Sequence, residues 1–332
     1  MKEARFYELK DGKAECYLCN RVCSIPEDSV GYCRVRKNTD GKLQSLVYGR
    51  SLTLTVDPIE KKPLFNFMPG TNCNSVSTYG CNFRCEFCQN HYISQEFTEN
   101  AISELEEVSP EEIIENTASK VADGIAYTYT EPTIFAEYAL DSMKLAHKEG
   151  LYNVWVSNGY MTKEAAAEIA KDLDAINIDL KGNAEFYKEM CGNVEIERVL
   201  ESIRFFYEKG VHVEVTNLIV PGFNDSLAGL GQIVDFIASI DKTIPLHFSR
   251  FFPHYKMQKT APTPIDAMNK AKELAVKAGL KFVYLGNVPG GQDSFCPDCG
   301  RVLVERKGYS TVILGLKNGK CAFCGAKTGF VQ

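Results

Sequence analysis

The sequence predicts an α/β protein, a full or partial (β/α) barrel with a small cysteine-bearing module at each end. From about residue 75, short β-branched or aromatic runs alternate with longer amphipathic ones, the pattern of parallel strands joined by crossover helices. Six or more such units fit into about 210 residues, and a doubly wound open sheet is the other arrangement this alternation allows. Eleven of the 13 cysteines fall into three groups, and these mark the modules: residues 1–70, 71–290 and 291–332.

Residues 1–70 are punctuated by Gly31, Gly41, Gly49, Pro58, Pro63, Pro69 and Gly70, which excludes long helices, and 44–48 reads as a strand. Candidate strands follow at 75–79, 125–130, 153–157, 175–179, 212–219, 246–251 and 282–285. Candidate helices lie near 109–121, 133–149, 162–172, 195–209, 228–239 and 263–279. Ser109-Pro110-Glu111-Glu112 offers an N-cap, a proline at N1 and acids in the first turn, and Gly150 and Gly210 close helical runs. Functional residues of parallel α/β folds gather at the carboxyl ends of strands, where this reading puts Cys81, Glu131, Asn158, Asp179, Lys181 and His247.

Composition narrows the function. With 45% hydrophobic and 24% charged residues the chain reads as an ordinary globular protein. A net charge of −6 argues against nucleic acid as the main partner. No apolar run reaches the roughly 20 residues of a membrane span, and the amino terminus lacks the apolar stretch of a signal peptide, so a cytoplasmic protein is expected. An odd cysteine count without a secretion signal favours metal over disulfides.

The central group, Cys81, Cys85 and Cys88, has C-x3-C-x2-C spacing. A [4Fe–4S] cube held by four cysteines is coordinatively closed; three leave one iron open to a further ligand. The spacing also allows a zinc site completed by Cys73 or His91, or a closed cube with Cys73 as fourth ligand.

Cys81-x3-Cys85-x-Phe87-Cys88 resembles the signature of the radical S-adenosylmethionine (SAM) superfamily. The wider text resembles the AmmeMemoRadiSam-system radical SAM enzymes, similar to pyruvate formate-lyase activating enzyme. The resemblance runs in order through residues 57–64, 80–83, 88–90, Tyr127-Thr128-Tyr129-Thr130-Glu131-Pro132, Ser157-Asn158-Gly159-Tyr160, Asp179-Leu180-Lys181-Gly182, 220–225, 247–251 and 286–288. It implies a partial (β/α)6 barrel, a [4Fe–4S] cluster chelating SAM, and reductive cleavage of SAM to a 5′-deoxyadenosyl radical that abstracts hydrogen from a substrate.

The resemblance also implies SAM contacts. Glu131 stands where activating enzymes carry Gly-Gly-Glu against the SAM amino group; Tyr129 and Thr130 replace the glycines, and a helix-start role for Glu131 is equally open. Asn158 matches a Thr-Asn-Gly segment near SAM, or else serves the turn before Gly159. Val156 replaces an Asp linked to a monovalent cation. Asp179 and Lys181 match an Asp-Leu-Lys segment and form either SAM contacts or an ion pair. His247 matches a histidine near the ribose or adenine, with a packed core histidine as the other reading.

Cys296-x2-Cys299 and Cys321-x2-Cys324 read as a zinc ribbon, with a small hairpin at 302–305 and 310–314 between the knuckles. Cys16, Cys19, Cys23 and Cys33 could hold zinc, the preferred reading, or a second iron–sulfur cluster. Arg34, Arg36 and Lys37 read as a solvated basic face, with an anionic partner as the alternative; Cys191 reads as a buried structural thiol. The function expected is hydrogen abstraction from a protein or peptide, with a small molecule of cofactor biosynthesis or a non-catalytic zinc-ribbon binding module as alternatives. Expected partners are a low-potential electron donor such as flavodoxin or ferredoxin, and AMMECR1-like and Memo-like proteins.

Overall fold

The computed structural model describes all 332 residues. Its centre is one eight-stranded sheet: β1 (Thr53–Pro58), β2 (Asn72–Ser77), β3 (Gly124–Tyr127), β4 (Tyr152–Ser157), β5 (Ala175–Asp179), β6 (His212–Ile219), β7 (Leu246–Arg250) and β8 (Val283–Gly286), lying side by side in chain order. β2 to β8 are parallel; β1 runs antiparallel to β2 and was not expected, because Pro58 and the prolines beyond it read as loop.

After each of β2 to β7 comes a helix: α1 (Pro110–Ser119), α2 (Ala136–Lys148), α3 (Lys163–Ile169), α4 (Ile196–Glu208), α5 (Leu227–Ile240) and α6 (Ile265–Lys277). The barrel therefore has six strand–helix units plus a seventh parallel strand and an antiparallel edge, and it stays open, since β1 and β8 are its edges. Alternation along the strands sends Asn74 towards α1, where Nδ2 donates to Thr117 at 3.0 Å, and Asn153 towards α2, where Nδ2 donates to the Met143 carbonyl at 3.0 Å. The opposite row, with Ser75, Ala126, Val154, Asn177, Glu214 and Tyr284, forms the lumen.

The helix starts follow sequence chemistry. Ser109 and Glu112 form a reciprocal capping box at α1, with bonds of 3.1 and 2.6 Å. Thr162 and Ser226 cap α3 and α5 through their hydroxyls. Each such cap stabilises by about 1 kcal/mol.

Two small modules dock on this scaffold. At the amino terminus, Tyr7–Lys10, Lys13–Cys16 and Cys23–Ile25 form one sheet, and Lys2–Glu3, Lys42–Ser45 and Arg36–Thr39 another; the strand expected at 44–48 begins at Lys42. The expected basic face is replaced by internal contacts. Arg36 is 1% exposed and pairs with Glu137 of α2 at 2.9 Å, Arg34 donates to the Gln95 and Phe97 carbonyls, and Lys37 pairs with Glu99. Removing one partner of a buried pair such as Arg36–Glu137 typically costs 3–5 kcal/mol.

The carboxyl-terminal module, built on Val302–Lys307 and Ser310–Ile313, seals the amino end of the barrel. Its buried Arg306 lies over the Phe65 ring and donates to the Phe65 carbonyl at 2.6 Å, and Thr311 donates to Glu60 at 2.8 Å. Residues 63–67 plug the lumen from below: Asn177 donates to the Pro63 carbonyl, and Glu214 accepts the backbone N–H groups of Phe65 and Asn66.

Candidate active site

β2 ends at Ser77, and the chain then turns through Gly80 at φ +100°. A Cβ here would lie 2.7 Å from Val35 and 2.9 Å from the Cys33 carbonyl, so both the backbone angle and the close approach of the amino-terminal module require glycine. The loop that follows carries Cys81, Cys85 and Cys88 at the carboxyl end of the sheet. Arg84 and Glu86 donate backbone N–H bonds to the carbonyls of Cys191 and Met190 at 3.1 and 3.0 Å, and Arg84 Nη1 returns to the Cys81 carbonyl at 2.8 Å. Phe83 packs on Tyr160 and Phe87 on Phe186, which walls the loop from water.

The sulfurs are provided for individually. The Phe83 N–H donates to Cys81 Sγ at 3.3 Å, Cys88 Sγ lies 3.3 Å from Ser94 Oγ, and the buried Cys191 thiol neighbours Cys85. Burial, then the nearby Glu131 carboxylate, pushes the Cys81 thiol well up; Cys191 and then burial do so for Cys85, and burial for Cys88. Such thiols ionise when a cation compensates them. Three of them on one loop at the mouth of the lumen fit an iron cluster in which each sulfur binds its own iron.

Of the two alternative fourth ligands, Cys73 is remote from the loop and His91 is engaged by an aromatic ring. Cys73 sits low in β2, its Sγ against the Asp57 carbonyl and packed with Phe67 and Tyr152, roughly 13 Å below Ser77 at about 3.3 Å per residue. His91 stacks on Tyr255 at 4.3 Å.

Asn158, at the end of β4, is buried with Nδ2 2.7 Å from Asn82 Oδ1 and 3.9 Å from Cys81 Sγ; Oδ1 accepts the Tyr160 N–H. It is thus tied to the cysteine loop, and the left-handed turn position falls on Gly159. Glu131, after β3, accepts from Thr133 N–H, Thr133 Oγ1 and Ser157 Oγ through Oε1, and from the Asn158 N–H through Oε2 at 2.7 Å. Burial raises its pKa although these bonds oppose the shift. Of its two readings the helix-start role is made, and Oε2 keeps one acceptor position.

Asp179 and Lys181 form an ion pair of 2.8 Å. Burial lowers the Lys181 pKa, but Asp179 and the Cys85 and Cys191 thiols raise it further, so the ammonium is held charged beside the cysteine loop. His247 shares a lumen row with Asp179 and Thr216, but its ring is buried, with Nε2 2.6 Å from Glu214 and faces against Phe65 and Tyr284. Of its two readings, these contacts match the packed core histidine.

Sequence reasoning missed a second lumen group. Asp57 accepts from Lys62 at 2.8 Å, Ser75 at 2.6 Å and the Tyr129 hydroxyl at 2.6 Å. Tyr129 has φ +65°, the left-handed conformation glycine would supply, and its carbonyl accepts from Asn90 at 2.8 Å. The backbone lost with the two glycines is thus recovered by anchoring the tyrosine at both ends. Thr216 Oγ1 and Asn177 Oδ1, both lumen-facing, are buried without protein partners, which suits a polar ligand.

Residues 75–237 match the model of the radical SAM superfamily. The chain belongs to this superfamily. A protein of Methanocaldococcus jannaschii, itself uncharacterised, is 45% identical over 337 residues, covering all of both chains. The pyruvate formate-lyase 1-activating enzyme of Escherichia coli is 23% identical, covering 62% of this chain and 89% of that one. A radical SAM methyltransferase from Sphaerobacter thermophilus, at 14% identity and a TM-score of 0.53 over 71% of each chain, shares the fold. The protein is therefore an activating-enzyme-like radical SAM oxidoreductase, and the family implies a [4Fe–4S] cluster and SAM, which the cysteine loop fits.

In the carboxyl-terminal module, the sulfurs of Cys296, Cys299, Cys321 and Cys324 all lie within 4.8 Å of one another, with Cys296–Cys324 at 3.6 Å and Cys299–Cys321 at 3.7 Å. Four thiolates round one tetrahedral ion with bonds of about 2.3 Å stand about 3.8 Å apart. No helix of the structure is long and apolar enough to cross a membrane.

Proposed function

We propose that this enzyme reductively cleaves SAM and abstracts hydrogen from a protein or peptide, in the manner of a glycyl-radical activating enzyme. The observation that carries the reading is the loop of three thiols, Cys85 buried and Cys81 and Cys88 half-buried, bound to Asn158 at the mouth of a polar lumen. When bound, the cluster supplies the electron that breaks the sulfonium carbon–sulfur bond of SAM, giving the 5′-deoxyadenosyl radical.

The chain's own residues hold and shield. Glu131 fixes the Asn158 backbone, and Asn158 fixes Asn82 beside Cys81. Asp179, half-buried on the lumen face, offers a carboxylate to an ammonium or a hydroxyl, and Lys181 pairs with it at 2.8 Å. Phe83, Phe87 and Tyr160 keep water from the loop. The likeness to an activating enzyme supports a protein or peptide substrate. The carboxyl-terminal thiols are assigned to zinc on their spacing. AMMECR1-like and Memo-like proteins are the candidate partners, with a flavodoxin or ferredoxin as electron donor in the cytoplasm.

The test is anaerobic: reconstituted protein, reductant, SAM and each candidate partner, with 5′-deoxyadenosine measured. Deuterium passing from a labelled partner into 5′-deoxyadenosine would establish hydrogen abstraction. Colourless protein that releases no 5′-deoxyadenosine after reconstitution would end this reading.

A further inference from the structure

We infer that Cys16, Cys19, Cys23 and Cys33 hold a second, closed [4Fe–4S] cluster, where sequence spacing alone favoured zinc. The chain itself contains the standard for comparison. Its carboxyl-terminal cysteines are gathered as one ion demands, and they are the one group of three or more candidate ligand atoms that all lie within 4.8 Å. The amino-terminal four are set wider. Cys16 and Cys23 face each other across neighbouring strands, Cys19 comes from the turn between them, and Cys33 from the loop beyond. A cube gives each cysteine its own iron and so asks for this wider spacing.

The four thiols enclose a common cavity with Arg21, Tyr32, Arg36 and apolar Leu18, Ile25 and Ile134. The cavity is tight, with about 10 Å³ open to the centre of a water molecule, so the four thiols are held close round it. The Tyr32 backbone N–H donates to the Cys23 sulfur at 3.5 Å. Arg36, almost wholly buried, keeps Nε without a partner, and Arg21 keeps Nη2. The lining is thus built for buried negative charge.

Four cysteines saturate the cube, so this cluster leaves no iron open to substrate. It nonetheless adjoins the Cys81 loop: the Cys33 carbonyl abuts Gly80, and Arg21 Nε donates to the Asn82 carbonyl at 2.8 Å.

The test does not depend on how SAM is used. The full chain carrying Cys81→Ala, Cys85→Ala and Cys88→Ala is reconstituted anaerobically with iron and sulfide. It should stay brown, hold about four irons and four sulfides, and give a reduced-cluster electron paramagnetic resonance signal, with one zinc per chain. Two zincs and no iron, or only two irons, overturn the proposal. Cys16→Ser with Cys19→Ser in the otherwise native chain should halve the iron from about eight to about four. Iron unchanged in that variant overturns the proposal equally.

Discussion

The Cys191 carbonyl accepts the Arg84 N–H at 3.1 Å, which sets the buried Cys191 thiol beside that of Cys85, where its S–H is placed to donate to a ligand sulfur. Yet 106 residues separate the two cysteines, and neither the spacing nor the composition of the cysteine loop points to the pairing. Hydrogen bonds to cluster sulfurs stabilise the more negative, reduced state and so raise the reduction potential. Cys191→Ala should therefore retain the iron of the Cys81 loop and shift that cluster's midpoint to a more negative value. The shift is about 40 mV if the bond differs by about 1 kcal/mol between the two states. A redox titration followed by electron paramagnetic resonance measures it. Loss of the cluster would instead make Cys191 a ligand and remove the open iron.

Glu131 makes a second prediction, because its carboxylate meets donors only. In Glu131→Gln an amide N–H₂ faces either the Asn158 N–H or the Thr133 and Ser157 donors. An unpaired buried donor costs about 1–3 kcal/mol, and the displaced group is Asn158, which holds the cysteine loop. SAM affinity, measured anaerobically by calorimetry, should fall about tenfold with iron content unchanged. A lower melting temperature with unaltered SAM affinity would assign Glu131 to the fold alone.

These two cases mark what the sequence could and could not convey. Period-two runs and caps such as Ser109–Glu112 are local, and all seven parallel strands were legible from them. β1 was missed because its edge pairing is long-range and Pro58 disguises it. The cysteine loop was legible because its ligands are close in sequence. Glu131 and His247 were recognisable as residue types, yet their partners Asn158 and Glu214 come from other strands, and those partners decide their roles. Asp57, Lys62 and Tyr129 lie in segments that carry the resemblance, 57–64 and 127–132, but the long-range hydrogen bonds that join them and the positive φ of Tyr129 are not displayed by sequence.

Glu214 gives a pH prediction. Burial alone would raise its pKa, but hydrogen bonds from His212 and His247 bring it down to about 2 from an ordinary 4.5. A depressed carboxyl contributes stability above its unfolded value and loses it as pH falls towards the folded one. Unfolding free energy should therefore drop between about pH 4.5 and 2, by roughly 3 kcal/mol from this group. Urea titrations followed by near-ultraviolet circular dichroism measure the slope. Glu214→Gln should flatten it in that window, and an equal slope in both proteins would show that Glu214 is not the group responsible.

Removing the metal proposed for the carboxyl-terminal thiols should loosen the barrel from below. The four thiolates cross-link two knuckles around Cys296 and Cys321, whose buried side chains pack with Phe282, Tyr284, Leu303 and Phe330. Metal binding in such a site supplies much of the local folding free energy. Without it Arg306 should release Phe65 and Glu60, and the 63–67 plug should lose its cover. Cys299→Ser with Cys324→Ser should therefore hold no zinc and raise amide hydrogen exchange at residues 302–313 and 63–67, while exchange in the Cys81 loop stays slow. The loop is anchored through Arg84, Glu86 and Asn158 at the opposite end of the strands, so simultaneous loosening there would show that the two ends of the barrel are energetically coupled.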